Sequence, residues 1–162
     1  MEASKPTLLV VGAGGFIGGF VASEGLRRGY DVTVAVRQST SRRYLSDERL
    51  NFAVLDYDDP DALATQLQEA APQSGAWDYV IYNLGATKCA NFADFNRINF
   101  GYLRTFCEAL ADKGMMPRRL LFMSSLSALG NPGDRDYAPI DASTPARPNT
   151  RYGLSKIKAE TY

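Results

Sequence analysis

A chain of 162 residues, 45% hydrophobic and 22% charged, is long enough for one domain with a real core and carries no bias toward disorder or fibrous repeats. Eighteen Lys plus Arg balance eighteen Asp plus Glu, so no long-range field recruits nucleic acid or an anionic membrane surface. There is no histidine, which excludes a Ser-His-Asp triad and the commonest metal ligand, and any acid-base chemistry must use another side chain.

The first apolar run, Thr7-Leu8-Leu9-Val10-Val11, is too short for a signal-peptide core or a membrane span. It has the β-branched character of a strand buried on both faces of a parallel sheet. It runs into VVGAGGFIGGF, which sets Gly12, Gly15 and Gly18 three residues apart, and residues 15–28 then read as a helix. Glycines alone also mark plain turns. Placed after a strand and before a helix, these have a mechanism for holding a dinucleotide. Gly12 permits the tight turn, Gly15 lets backbone approach a pyrophosphate, and Gly18 lets the helix lie close on the sheet, its N-terminus facing the phosphates.

A second strand over residues 31–36 ends at Val36-Arg37. An acid there would bond the adenosine ribose 2′-hydroxyl, whereas an arginine accommodates a 2′-phosphate. Arg37, with Arg42 and Arg43 close behind, therefore favours NADP(H) over NAD(H), the other reading of the cluster being a solvated surface. After a third strand over 51–55 comes LDYDD, where Asp56 either accepts a hydrogen bond from the adenine amino group or caps the helix of residues 60–71 together with Asp58, Asp59 and Asp61. A fourth strand over 78–82 leads into Asn83-Leu84-Gly85-Ala86, small residues past which a ribose or nicotinamide could run, or which simply make a turn. Cys89 and Cys107, without metal-ligand spacing, read as buried thiols of a reducing compartment, so the expectation is a cytoplasmic protein without a metal.

A helix over 93–113 and a fifth strand over 119–123 complete an alternation that implies βαβ units and a doubly wound parallel sheet. The strand ends in FMSSLSALG, with Ser124 and Ser125 at the edge where open α/β sheets bind ligands. Residues 126–150 carry four prolines and read as a long functional loop. In the closing RYGLSKIKAETY, Tyr152 and Lys156 stand four apart and so share a helix face. An ammonium beside a phenol favours the phenolate and brings it toward the working pH. This spacing alone is close to chance. With the glycine turn and the serines at the end of the fifth strand it reads as a site: Tyr152 moves the proton, Lys156 holds the nicotinamide ribose and a serine hydroxyl, from Ser124 or Ser125, holds the substrate oxygen, the other reading of the serines being an ordinary strand-ending turn.

From about Thr7 to Glu160 these motifs resemble the extended short-chain dehydrogenase/reductases, which include nucleotide-sugar epimerases and dehydratases, dihydroflavonol-type reductases and 3β-hydroxysteroid dehydrogenases. Gly12 to Gly18 resemble the family's GxxGFIG, Asp56 its adenine-contacting aspartate, Asn99 in INFGYLRTF the asparagine of its central helix, Ser125 its catalytic Ser/Thr and Tyr152 to Lys156 its YxxxK. Val11 departs from the threonine that often precedes the first glycine, and Val36-Arg37 resembles the reductase branch. The resemblance implies a Rossmann-type sheet of order 3-2-1-4-5 and cofactor contacts from Phe16, Ile17, Tyr57, Leu84, Gly85, Ala86 and Asn99 besides the residues above. It implies further that 1–162 is an incomplete NAD(P)-binding domain, ending before the last strands, with a C-terminal substrate-binding region absent. Such a chain should behave poorly in isolation. The implied activity is an NAD(P)-dependent oxidoreductase or epimerase/dehydratase working by hydride transfer at a carbinol or carbonyl carbon of a sugar nucleotide, steroid or flavonoid-like compound. The implied assembly is a homodimer through the helices near 93–113 and from 150 onward. The alternatives are a redox-sensing dinucleotide binder without chemistry, or a cofactor-binding fragment with no activity of its own.

Overall fold

The computed structural model describes residues 5–130 and 139–162. Five parallel strands, β1 (Thr7–Val11), β2 (Asp31–Val36), β3 (Asn51–Val54), β4 (Tyr79–Tyr82) and β5 (Arg119–Phe122), form one sheet in the order β3-β2-β1-β4-β5. In-register pairing sets Leu9 beside Thr33 and Val80, so β1 lies at the centre with neighbours on both sides. Leu9, Val10, Val11, Val32 and Val34 are fully buried. Each such side chain contributes roughly 1.5–3 kcal/mol on leaving water, which is why the most continuous apolar runs of the sequence occupy the middle of the sheet.

The connections are helical where the sequence supplies caps and periodicity. Helix α1 (Phe16–Arg27) follows β1, and its Ala22 and Leu26 pack with Leu8, Val10, Val32 and Val34 on one sheet face. Helix α2 (Pro60–Ala70) starts with proline in its first turn and with the Asp59 carboxylate accepting from the amides of Asp61 and Ala62. On β4, Tyr82 turns to the opposite face and meets the ring of Phe106, at a centroid distance of 5.3 Å. The face that α1 covers near β2 is open near β5. There a groove of about 720 Å³ runs past Phe20, Tyr79, Ile81 and Leu121, and Phe20 and Leu121 are exposed.

The helix expected over 93–113 is three segments: α3 (Phe92–Asn96), a π-helical turn over Arg97–Gly101, and α4 (Tyr102–Asp112). A π turn inserts one extra residue into the ladder, a rare arrangement frequent at functional sites. Asn99, within it, is fully buried. Residues 126–130 include a short 3₁₀ turn, Leu126–Ala128, and α5 (Arg151–Glu160) begins at Thr150, whose hydroxyl accepts from the Gly153 amide at 2.9 Å. Residues 131–138 of the expected loop, with Pro132, lie outside the described residues. Cys89 and Cys107 are free and half-buried rather than buried, with burial and the neighbouring Glu108 carboxylate pushing the Cys107 thiol up.

The chain divides into two compact units. The sheet unit comprises Met1–Leu84 and Thr105–Met123; the helical unit comprises Gly85–Arg104 and Ser124–Tyr162.

Candidate cofactor turn and acid-base site

In the sheet unit the glycine turn connects β1 to α1. Gly12 has φ +79°, and a side chain there would meet the backbone nitrogen of Leu84 at 2.7 Å. Both facts exclude a larger residue. Gly18 lies so close to the turn that a Cβ would fall 2.3 Å from the Gly12 carbonyl oxygen, which is how α1 nests against the end of β1. Gly15 differs: a Cβ there would find its nearest neighbour at 3.7 Å, so its smallness is not needed for packing within the protein. Phe16 and Ile17 beside it are exposed. Helices α2, α3 and α5 open with a side-chain cap from Asp59, Asn91 and Thr150, whereas α1 opens at Gly15 with none. The first amides of α1 are therefore left for an outside acceptor, and the positive end of the helix dipole points the same way.

The carboxyl ends of β2 and β3 flank this turn with charge. Arg37 is exposed, and its amide donates to the Thr40 hydroxyl at 2.9 Å, closing a tight turn. The methyl of Thr40 lies against Gly14, 2.1 Å from where a Cβ would stand, so the Arg37–Thr40 turn rests on the glycine turn. Arg42 and Arg43 have other occupations, over the rings of Phe52 at 4.4 Å and Tyr44 at 5.5 Å. Asp56 does not cap α2; that role falls to Asp59. Asp56 instead accepts from the Asp58 amide at 3.0 Å, while its own amide donates to Gln66 Oε1 at 2.8 Å. Tyr57 is buried, which pushes its phenol well up, with the Arg37 charge opposing.

In the helical unit the expected residues converge. Lys156 is 4% exposed, its Nζ 5.9 Å from the centre of the Tyr152 ring. Burial pushes the Lys156 ammonium below its ordinary range, and the Glu160 carboxylate one turn on pushes it back up. Glu160 is itself held by the Ser124 hydroxyl. Tyr152 is half-buried against Phe95, ring centres 6.1 Å apart. Ser125 begins the 3₁₀ turn, its Oγ accepting from the Ser127 amide at 3.2 Å. Gly153 brings α5 onto that turn: a Cβ there would stand 2.0 Å from the Ser127 carbonyl oxygen.

Gly85 approaches Lys156 less tightly, a Cβ there falling 3.1 Å from Nζ and 3.0 Å from Asn99 Oδ1. Asn99 does not face solvent. Its Oδ1 accepts from the Ala86 amide at 2.7 Å, and its Nδ2 donates to the Ala86 carbonyl at 3.0 Å and to the Ser155 hydroxyl at 2.9 Å. Sequence reasoning missed Gly153, Ser155 and Thr40. The first two sit between Tyr152 and Lys156, where a strict Y-x-x-x-K reading treats them as spacers. Among the described residues no cluster of metal-ligating side chains and no helix long and apolar enough to cross a membrane is present.

A five-stranded parallel sheet of this order, with an uncapped glycine turn after β1 and a tyrosine-lysine pair on α5, defines a Rossmann-like α/β domain. The chain belongs to the NAD dependent epimerase/dehydratase family, whose model matches residues 8–162, within the extended short-chain dehydrogenase/reductases. It is 26% identical over 152 residues to the UDP-glucose 4-epimerase of Streptomyces lividans, covering 94% of this chain and 45% of that protein. Among solved structures, UDP-glucose 4-epimerase from Brucella ovis in complex with NAD is similar at a TM-score of 0.79 and 24% identity, over 96% of this chain and 46% of that one. The Bordetella bronchiseptica enzyme WbmG in complex with NAD and UDP is similar at 0.77 and 23%, over 98% and 49%. The chain thus spans about half the length of the curated relatives it matches.

Proposed function

We propose that these residues supply the cofactor-binding and proton-transfer parts of an enzyme that oxidises and reduces a carbinol carbon of a sugar nucleotide, as an epimerase, dehydratase or reductase. The observation that carries the reading is the placement of Lys156, buried beside Tyr152 and against Gly85 on one face of α5. An ammonium is costly to bury, and it is retained where it has a charge to stabilise. The sugar-nucleotide class rests on the named relatives.

The residues of each unit suit a part of a nicotinamide dinucleotide. The uncapped amides of α1 and the open space at Gly15 suit a pyrophosphate. Tyr152 and Lys156 would hold the nicotinamide ribose, and Leu84, Gly85 and Ala86 would pass beside it. Bound there, the nicotinamide supplies hydride acceptance and return. Ser125 donates to the substrate oxygen and Tyr152 takes up or gives back the hydroxyl proton, with the Lys156 charge favouring the phenolate. In this reading Asn99 positions residues rather than touching ligand, because Ala86 and Ser155 occupy its amide.

For the cofactor we favour NADP(H). Arg37 stands at the end of β2 where no carboxylate awaits a ribose hydroxyl, and its turn rests on the glycine turn. NAD is the alternative, since the two solved neighbours named above hold it. Fluorescence titration with NADPH and NADH decides: about tenfold tighter NADPH binding, reversed in Arg37→Asp, is expected, and equal curves would overturn the preference. In the protein, Tyr152→Phe should abolish turnover of UDP-glucose and leave dinucleotide binding nearly intact. Retained turnover would refute the acid-base role.

A further inference from the structure

We infer that Ser155 is a positioning residue, whose hydroxyl fastens the helix turn bearing Tyr152 and Lys156 to Asn99 and, through it, to the Gly85–Ala86 turn. The inference rests on the functional reading above for what is positioned, and on geometry for how.

Ser155 is fully buried, in the segment between the two proposed reacting residues. Its Oγ donates to the Tyr152 carbonyl at 2.7 Å and accepts from Asn99 Nδ2 at 2.9 Å, so its proton and one lone pair are both committed. Asn99, also fully buried, has both amide protons and its oxygen in use, with Ser155 and with the backbone of Ala86. A chain of four hydrogen bonds thus runs from Ala86 to the backbone of Tyr152.

The arrangement limits two motions of α5. Rotation about the helix axis swings Ser155 away from Asn99, and sliding along the axis does the same, in each case leaving a buried amide proton without an acceptor. Lys156 is the next residue along, so the same bonds hold its Nζ at the approach to Gly85. Asn99 lies within the π turn, on the buried face it shares with Phe95 and Leu103, four residues to either side. A buried polar network with every member satisfied specifies one geometry, which an apolar contact of the same size does not.

The test compares Ser155→Ala with Ser155→Thr, which keeps the hydroxyl, and with Ser155→Cys, which keeps the size should alanine leave the chain unfolded. Two readouts separate positioning from plain stability. The first is the ratio of NADPH affinity to ADP affinity, because ADP carries no nicotinamide ribose and reports only on the glycine-turn end of the ligand. Ser155→Ala should lose about fivefold to tenfold of that ratio, Ser155→Cys should lose part of it and Ser155→Thr should retain it, with ADP affinity unchanged in all. The second, independent of any ligand, is exchange of the Ala86 amide proton, which should quicken about tenfold in Ser155→Ala. An unchanged ratio together with unchanged Ala86 exchange overturns the inference. A wild-type chain that binds NADPH no better than ADP refutes the proposed function instead, and the amide exchange then still decides whether the fastening exists.

Discussion

The two units reach their chemistry by opposite means. In the sheet unit the groups proposed to face a ligand are backbone: an uncapped helix start, a glycine with space around it and a second glycine that lets the helix approach. In the helical unit they are side chains: Ser125 accepts from the Ser127 amide, Tyr152 packs against the Phe95 ring and Lys156 lies against Gly85. A site made of backbone needs only a particular turn, and residues without side chains suffice to write it. A site made of side chains needs neighbours to aim them, and those neighbours come from distant parts of the chain.

That contrast can be broken most forcefully at the glycines. Gly18→Ala and Gly153→Ala both force a Cβ to within 2.3 Å of a backbone oxygen, in the sheet and helical units respectively. Each should cost about 3 kcal/mol, seen as a lowered denaturant midpoint. Should either prove neutral, the close packing of that helix is not what places it. Gly15→Ala should do the reverse, leaving the midpoint within about 0.5 kcal/mol while weakening NADPH binding about tenfold, measured by titration. An equal loss of stability there would show that Gly15 serves the fold and not a ligand.

Lys156→Met sharpens the comparison from the other side. Burial holds the folded pKa of Lys156 below its ordinary value of 10.5, so below the folded pKa the native state bears the cost of a buried charge. That cost eases as pH rises through the folded value. Methionine removes it, and the variant should be more stable at neutral pH by about 1 kcal/mol, while losing the preference for NADPH over ADP. A destabilised variant would mean that the ammonium is retained for structure.

The smallest effect belongs to Asp78, where the sheet unit uses a side chain. Its carboxylate accepts from the amide and hydroxyl of Thr7, at 2.9 and 3.0 Å, joining the starts of β1 and β4. The Thr7 amide bond, then the Thr7 hydroxyl, then the nearby Arg118 hold its pKa below the usual 3.8. The folded pKa is depressed, so the stabilisation is full above 3.8 and is lost as pH falls through the lower folded value. Thermal melts of Asp78→Asn should show a shallower decline below pH 4 than those of the wild type; parallel curves would remove Asp78 from the account.

Much of the fold is readable along the chain because it depends on local pattern. The apolar runs beginning at Thr7, Asp31 and Asn51 are strands within a residue of where their composition places them. Leu55, just beyond β3, still donates to the Val36 carbonyl at 2.8 Å, so the difference there is only where the ladder is counted as ending. The glycine turn is readable because φ +79° and a backbone approach admit one residue type. Proline at the start of α2 and threonine before α5 are local signals of the same kind.

The interruption of the helix over 93–113 was not readable, because the composition around Asn99 is ordinary for an α-helix. Nor were the separate uses of neighbouring residues. Asp56 and Asp59 look interchangeable in LDYDD, yet one turns back to the Asp58 amide and the other caps α2. Arg42 and Arg43 look like companions of Arg37, yet aromatic rings occupy both. By itself, then, the sequence determined the sheet and the glycine turn, since both follow from residue type and spacing, and it supplied the proton-transfer side chains as a proposal. Only tertiary structure decided which of several equivalent polar groups is buried, capped or left open, because that choice depends on partners many residues away, as Ser155 depends on Asn99.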